Sequence, residues 1–139
     1  MLKVVPIKPR NKMAFPVYTS YISAGFPSPA EDHVDQFLDL HEYLVQNPAA
    51  TFFVRVQGDS MTNAGINSGD LLIIDRSIDP MNGNIVIAAV AGELTVKRFQ
   101  KQGRKVTLKA ENPDYPSINV DEYSDLTIWG VVTTVIHPV

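Results

Sequence analysis

Residues 51–65 read TFFVRVQGDSMTNAG. The first six, Thr51 to Val56, are β-branched or aromatic at every position but Arg55 and predict a strand. Polar residues and glycine then take over from Gly58 to Gly65, which is turn chemistry. Five more runs of the same kind follow: LLIID from Leu71, NIVIAAV from Asn84, ELTVKRF from Glu93, KVTLKA from Lys105 and LTIWGVVTTVI from Leu126. Six short runs at this spacing, divided by turn residues, predict a compact, twisted, mostly β barrel or sandwich. Ala91-Gly92, between NIVIAAV and ELTVKRF, is a hairpin signal.

Upstream the pattern changes. Residues 1–30 carry Pro6, Pro9, Pro16, Pro27 and Pro29 with no apolar period. They predict an extended, mobile arm with at most a short edge strand near Phe15 to Tyr18. From Glu31 to Gln46, Val34, Phe37, Leu38, His41, Leu44 and Val45 fit one helical face, while Asp39 followed by Glu42 caps a shorter helix of about two turns. Pro48 ends that helix.

A chain of 139 residues with 45% apolar content is one small globular domain, with room for an arm. It has no cysteine, so disulfides and thiolate metal sites are excluded. The longest apolar run, Ile85 to Ala91, is far short of the roughly 18 residues of a membrane-spanning helix. The basic N-terminus imitates a secretory signal, but residues 13–23 contain Pro16, Thr19, Ser20 and Ser23 and offer no continuous apolar segment. A cytoplasmic protein is the expectation. Net charge is −3 but uneven: residues 1–24 hold four Lys/Arg and no acid, and residues 25–139 hold eight Lys/Arg and fifteen Asp/Glu. Such an arm suits contact with its own acidic body better than contact with phosphates, which that body repels.

Gly58-Asp59-Ser60 is, on its own, an ordinary turn composition, and a serine hydroxyl is a weak nucleophile until a base removes its proton. None of the three histidines, His33, His41 and His137, has an evident Ser-His-Asp context or metal-ligand spacing. Lys97 is more unusual. In ELTVKRF, strand alternation places Thr95, Lys97 and Phe99 on one side and Leu94, Val96 and Arg98 on the other, so one of two adjacent cations shares a face with apolar groups. Both cations splaying to solvent at a sheet edge is one account. The other is that Lys97 is the base for Ser60: burial lowers a lysine pKa, and Ser-Lys pairs are a recognised form of nucleophilic catalysis.

The motifs AGFPSPA (Ala24 to Ala30), GDSM (Gly58 to Met61), GDLLIID (Gly69 to Asp75) and TVKR (Thr95 to Arg98), and more loosely IWGVV (Ile128 to Val132), occur in this order. Together they make the chain resemble the LexA/UmuD family of self-cleaving Ser-Lys proteins over all but roughly its first 20 residues. The resemblance implies a LexA-like, signal-peptidase-like β fold with one short helix and an extended arm. It divides the chain into a removable arm, residues 1–24, and a peptidase and interaction domain, residues 25–139. It assigns Ser60 as nucleophile, Lys97 as general base and Ala24-Gly25 as the bond cut, with the backbone N–H groups of Ser60 and Met61 as oxyanion donors. Where such proteins often carry cysteine before the cut glycine, this chain has Ala24, also small.

The resemblance implies no cofactor or metal. Its implied partners are a RecA–single-stranded DNA filament that promotes cleavage, a second copy of the chain, and a UmuC-like translesion DNA polymerase subunit that receives the trimmed form in SOS mutagenesis. Twenty-four Pro-rich residues leave no room for a helix-turn-helix, so no sequence-specific DNA binding is expected. Of three Ala-Gly pairs, Ala64-Gly65 lies close to Ser60 and Ala91-Gly92 is committed to a hairpin, while Ala24-Gly25 sits in an arm free to extend. A non-catalytic β-fold interaction module is the alternative reading. A signal peptidase acting on other chains shares the chemistry but lacks the expected membrane anchor.

Overall fold

A computed structural model describes residues 12–18, 25, 34–122 and 125–139. The chain falls into two compact units, residues 1–46 and 47–139.

In the first unit, β1 (Ala14–Tyr18) pairs antiparallel with β2 (Val34–Asp39), and a short helix, α1 (Leu40–Leu44), follows directly. The strand expected near Phe15 to Tyr18 is present. The helical reading is overturned at Val34–Asp39, which is a strand. Its backbone groups find partners on β1, from Ala14↔Asp39 to Tyr18↔Val34, which local helical periodicity does not anticipate. Pro16 is tolerated because a two-stranded sheet consists of edges alone. The capping expectation holds. Asp39 has an extended backbone and accepts hydrogen bonds from the N–H groups of His41 (2.9 Å) and Glu42 (3.4 Å), and also from Met13 (3.0 Å). The helix has five residues rather than two turns and ends at Leu44, before Pro48, which instead opens a 3₁₀ turn (Pro48–Ala50). His41 is exposed, not on an apolar face.

The second unit contains all six expected strands: β3 (Thr51–Arg55), β4 (Leu71–Asp75), β5 (Ile85–Val90), β6 (Glu93–Gln102), β7 (Lys105–Lys109) and, after the two-residue β8 (Ile118–Asn119), β9 (Thr127–Ile136). They form one antiparallel sheet in the order β3-β4-β9-β5-β6-β7-β8. The β5–β6 hairpin turns at Ala91 (φ 50) and Gly92 (φ 82), two left-handed residues whose twist matches that of the flanking strands.

Strand alternation sorts the apolar side chains into two cores. On β5, Ile85 and Ile87 join the cluster of Val56, Met61, Ile66, Leu72 and Ile74, whereas Val86, Ala88 and Val90 join that of Phe99, Leu108 and Val131. On β9 the register against β5 shifts at Trp129, next to Gly130, and the register against β4 shifts at Thr133. A Cβ on Gly130 would lie 2.6 Å from Ile74 Cγ2 and 3.0 Å from the Asp75 carbonyl oxygen. Each fully buried Ile, Leu or Val contributes about 1.5–3 kcal/mol, so the two clusters supply most of what holds the sheet together. Among the described residues no helix is long and apolar enough to cross a membrane.

Candidate active site

Ser60 lies in the loop that leaves β3, and the loop is fixed at several points. Val56 N–H donates to the Asp70 carbonyl and Gly69 N–H to the Val56 carbonyl, both at 2.8 Å. Gly58 takes φ +97, a conformation that side chains strain to reach, and its N–H donates to Ser68 Oγ at 3.2 Å. Beyond the serine, Met61 is buried and anchors a 3₁₀ turn (Thr62–Ala64) closed by Gly65 at φ +79. The carbonyl of Met61 accepts from Ala64 (3.0 Å) and Ile66 (3.3 Å).

Lys97 is on β6, opposite Val86 in the β5–β6 register and so on the same side of the sheet. It is only 7% exposed, whereas Val86 is fully buried and Phe99, two residues on, is 6% exposed. Of the two adjacent cations, Lys97 is therefore the one that shares a face with apolar groups. Arg98 points to the other side, where Nε donates to Glu111 Oε1 (2.7 Å) and Nη1 to the Gly83 carbonyl (2.5 Å). The account in which both cations splay to solvent does not apply.

The structure brings the two anomalous residues of the sequence together. Lys97 Nζ donates to Ser60 Oγ at 3.2 Å. Loss of hydration on burial pushes the Lys97 pKa below its ordinary value of 10.5. A neutral amine in that position accepts the serine proton across the same contact, which is the arrangement of a hydroxyl nucleophile with a general base. Ser60 also borders a groove of about 390 Å³ walled by apolar side chains that include Val54, Val56, Ile87, Leu94 and Val96.

Gly25 is an exposed bend, and Ala24 lies outside the described residues, as does His33. His137 faces Asp70, with Nδ1 to Oδ2 at 3.6 Å. Sequence reasoning missed Glu111, Asn112 and Tyr115, which reach the serine loop from the segment after β7. The Asn63 N–H donates to the Glu111 carbonyl (2.9 Å), Asn112 Nδ2 to the Asp59 carbonyl (2.8 Å) and Tyr115 Oη to Asp59 Oδ1 (2.5 Å). ENPDYPS carries only turn composition, and no local signal tells which loop it will meet.

Fold and site define a β protein in which a buried lysine amine contacts a loop serine, the pattern of a Ser-Lys peptidase. The chain belongs to the peptidase S24-like family, whose model matches residues 16–133. It is 47% identical over 137 residues to Protein SamA of Salmonella typhimurium, covering 99% of this chain and 95% of that one. Protein MucA of Escherichia coli is 45% identical over 129 residues, 91% of this chain and 88% of the relative. The LexA repressor of Shewanella denitrificans is 44% identical over 117 residues, which are 84% of this chain but 57% of the repressor.

Proposed function

We propose that the protein is a serine endopeptidase that cuts its own Ala24-Gly25 bond. The carrying observation is the 3.2 Å contact between a buried amine and the Ser60 hydroxyl. Neutral Lys97 takes the proton as Ser60 Oγ attacks the Ala24 carbonyl carbon, and the N–H groups of Ser60 and Met61 donate to the oxyanion. Collapse expels the Gly25 amine, which receives the proton from the Lys97 ammonium. A water molecule, deprotonated by the same amine, then hydrolyses the Ser60 ester and releases the Ala24 carboxylate. The apolar groove beside Ser60 suits the small and aliphatic residues before the cut, Ile22 and Ala24.

Similarity to SamA and MucA, together with the LexA/UmuD resemblance, supports a role for the trimmed form in SOS mutagenesis. In that role the chain pairs with a second copy and serves a translesion polymerase subunit in the cytoplasm, and a RecA–DNA filament promotes the cut. Loss of residues 1–24 removes four positive charges, which changes the surface offered to partners. The test is mass spectrometry of purified full-length protein held at alkaline pH. Wild type yields a fragment beginning at Gly25, and Ser60→Ala and Lys97→Ala do not. Equal cleavage by all three overturns the assignment.

A further inference from the structure

The segment after β7 contacts the catalytic loop in a way that the acyl-transfer chemistry does not require. Tyr115 Oη donates to the carboxylate of Asp59, the residue next to Ser60, while Asn112 Nδ2 holds the Asp59 carbonyl. Both bonds grip the residue immediately before the serine, while the Glu111 carbonyl of the same segment accepts from the Asn63 N–H in the 3₁₀ turn that follows it. Meanwhile the Tyr115 ring centroid is 6.0 Å from Lys97 Nζ. One side chain thus touches the turn that carries the nucleophile and faces the amine that deprotonates it.

We infer that Tyr115 is a positioning residue for cleavage: through Asp59 it sets the aim of Ser60, and its ring keeps bulk water from the Lys97 amine. The inference rests on the Ser60/Lys97 reading above. Two physical points support it. A nucleophile must be held within a few tenths of an ångström of its attack position, and displacement by about 1 Å costs on the order of a hundredfold in rate. Asp59 is exposed, so burial does not fix the peptide that it shares with Ser60; Asn112 holds the carbonyl of that peptide. At Asp59 itself, between the anchors at Gly58 and Met61, the hydrogen bonds come from Tyr115 and Asn112. The hydroxyl also holds its proton more firmly than a free tyrosine, chiefly because it donates to Asp59.

The two roles separate by substitution. The charged and titratable groups around the pair are Asp59, Asp114 and Tyr115 on the loops, with Glu111 held by Arg98 on the other side of β6. Across β5, Lys97 meets Val86, which does not titrate. Tyr115→Phe keeps the ring and loses the bond to Asp59. Tyr115→Leu loses both, and Asp59→Asn keeps an acceptor for the hydroxyl where Asp59→Ala does not.

The experiment follows self-cleavage of the full chain from pH 7 to 11 in each variant, with thermal unfolding as a folding control. Tyr115→Phe and Asp59→Ala should each lower the alkaline plateau about tenfold, and the double variant should be no slower than either single, because they break one bond. Asp59→Asn should restore most of the rate. Tyr115→Leu should in addition move the midpoint of the profile upward, since a better hydrated amine titrates nearer its ordinary value. Plateaus within twofold of wild type for Tyr115→Phe and Asp59→Ala, with Ser60→Ala inactive, overturn the positioning role and leave the catalytic pair standing. An unmoved midpoint in Tyr115→Leu overturns the shielding role. Undiminished cleavage in Ser60→Ala removes the catalytic pair itself.

Discussion

Replacing Lys97 by methionine keeps the apolar stem and deletes the amine, and its consequences run in opposite directions for activity and stability. A lysine with the ordinary pKa of 10.5 is neutral at pH 7.5 in about one molecule in a thousand. Burial lowers that pKa, so the neutral fraction is larger, and wild-type cleavage should rise about tenfold per pH unit and level off below pH 10.5. Lys97→Met should not cleave at any pH. For stability, the folded pKa lies below the unfolded one, so between the two the unfolded chain binds more protons and wild-type stability rises with pH. Below the folded pKa the full cost of the buried amine is present. Lys97→Met escapes it and should be more stable at pH 7 by about 1–2 kcal/mol, the scale of a poorly solvated polar group. That advantage should shrink toward pH 10. Urea unfolding at several pH values, with Ser60→Ala as the non-cleaving reference that retains the lysine, measures both. A methionine variant no more stable at pH 7, an advantage constant with pH, or a cleavage midpoint at or above 10.5 refutes the reasoning.

Gly130→Ala should destabilise the sheet by about 1–3 kcal/mol in urea unfolding, because its new methyl group meets Ile74 and the backbone of Asp75 and Arg76; an unchanged midpoint contradicts that. Asp75 accepts from Asn47 Nδ2 (2.7 Å) and from Ser77 N–H (2.8 Å) and Oγ (2.5 Å), and the Ser77 side chain is the largest influence holding its pKa below 3.8. A lowered folded pKa means stability present above pH 3.8 and lost as pH falls through the folded value, so Asp75→Asn should flatten the acid limb of a stability–pH curve. Asp39→Ala removes the cap of α1 and should cost about 1 kcal/mol locally, read as faster amide exchange at Tyr43 to Val45 with the β4 and β5 amides unaffected.

The β-rich unit was legible because its signals are local. Each strand from β3 to β7, and β9, announces itself by β-branched and aromatic residues between glycines and polar turns, and the hairpin at Ala91-Gly92 by its left-handed pair. Lys97 was legible in part for the same reason, since alternation puts one of two neighbouring cations on the apolar face, while only the folded sheet rules out an edge position with both cations in solvent. Residues 34–39 were misread because β1 decides them, and a partner strand some twenty residues away leaves no mark on local periodicity. Tyr115 and Asn112 escaped notice because their meaning lies in a contact with Asp59 across more than fifty residues of chain.

In the proposed mechanism, activity and instability at this site have a single source. The alternation that fills both faces of the sheet leaves the Lys97 side chain largely buried, and the free energy that disfavours its charge is the one that would make it a base. Deleting the amine should therefore stabilise the fold and silence the serine together, as at Lys97→Met. Substitutions that loosen the sheet elsewhere, at Gly130 or Asp75, lower stability while leaving the midpoint of the cleavage profile in place, because they do not change the surroundings of the amine. Tyr115 is set apart from both groups. Its exposed hydroxyl contributes little to the core, yet it bonds the residue beside the nucleophile, so its loss should slow cleavage with almost no change in unfolding.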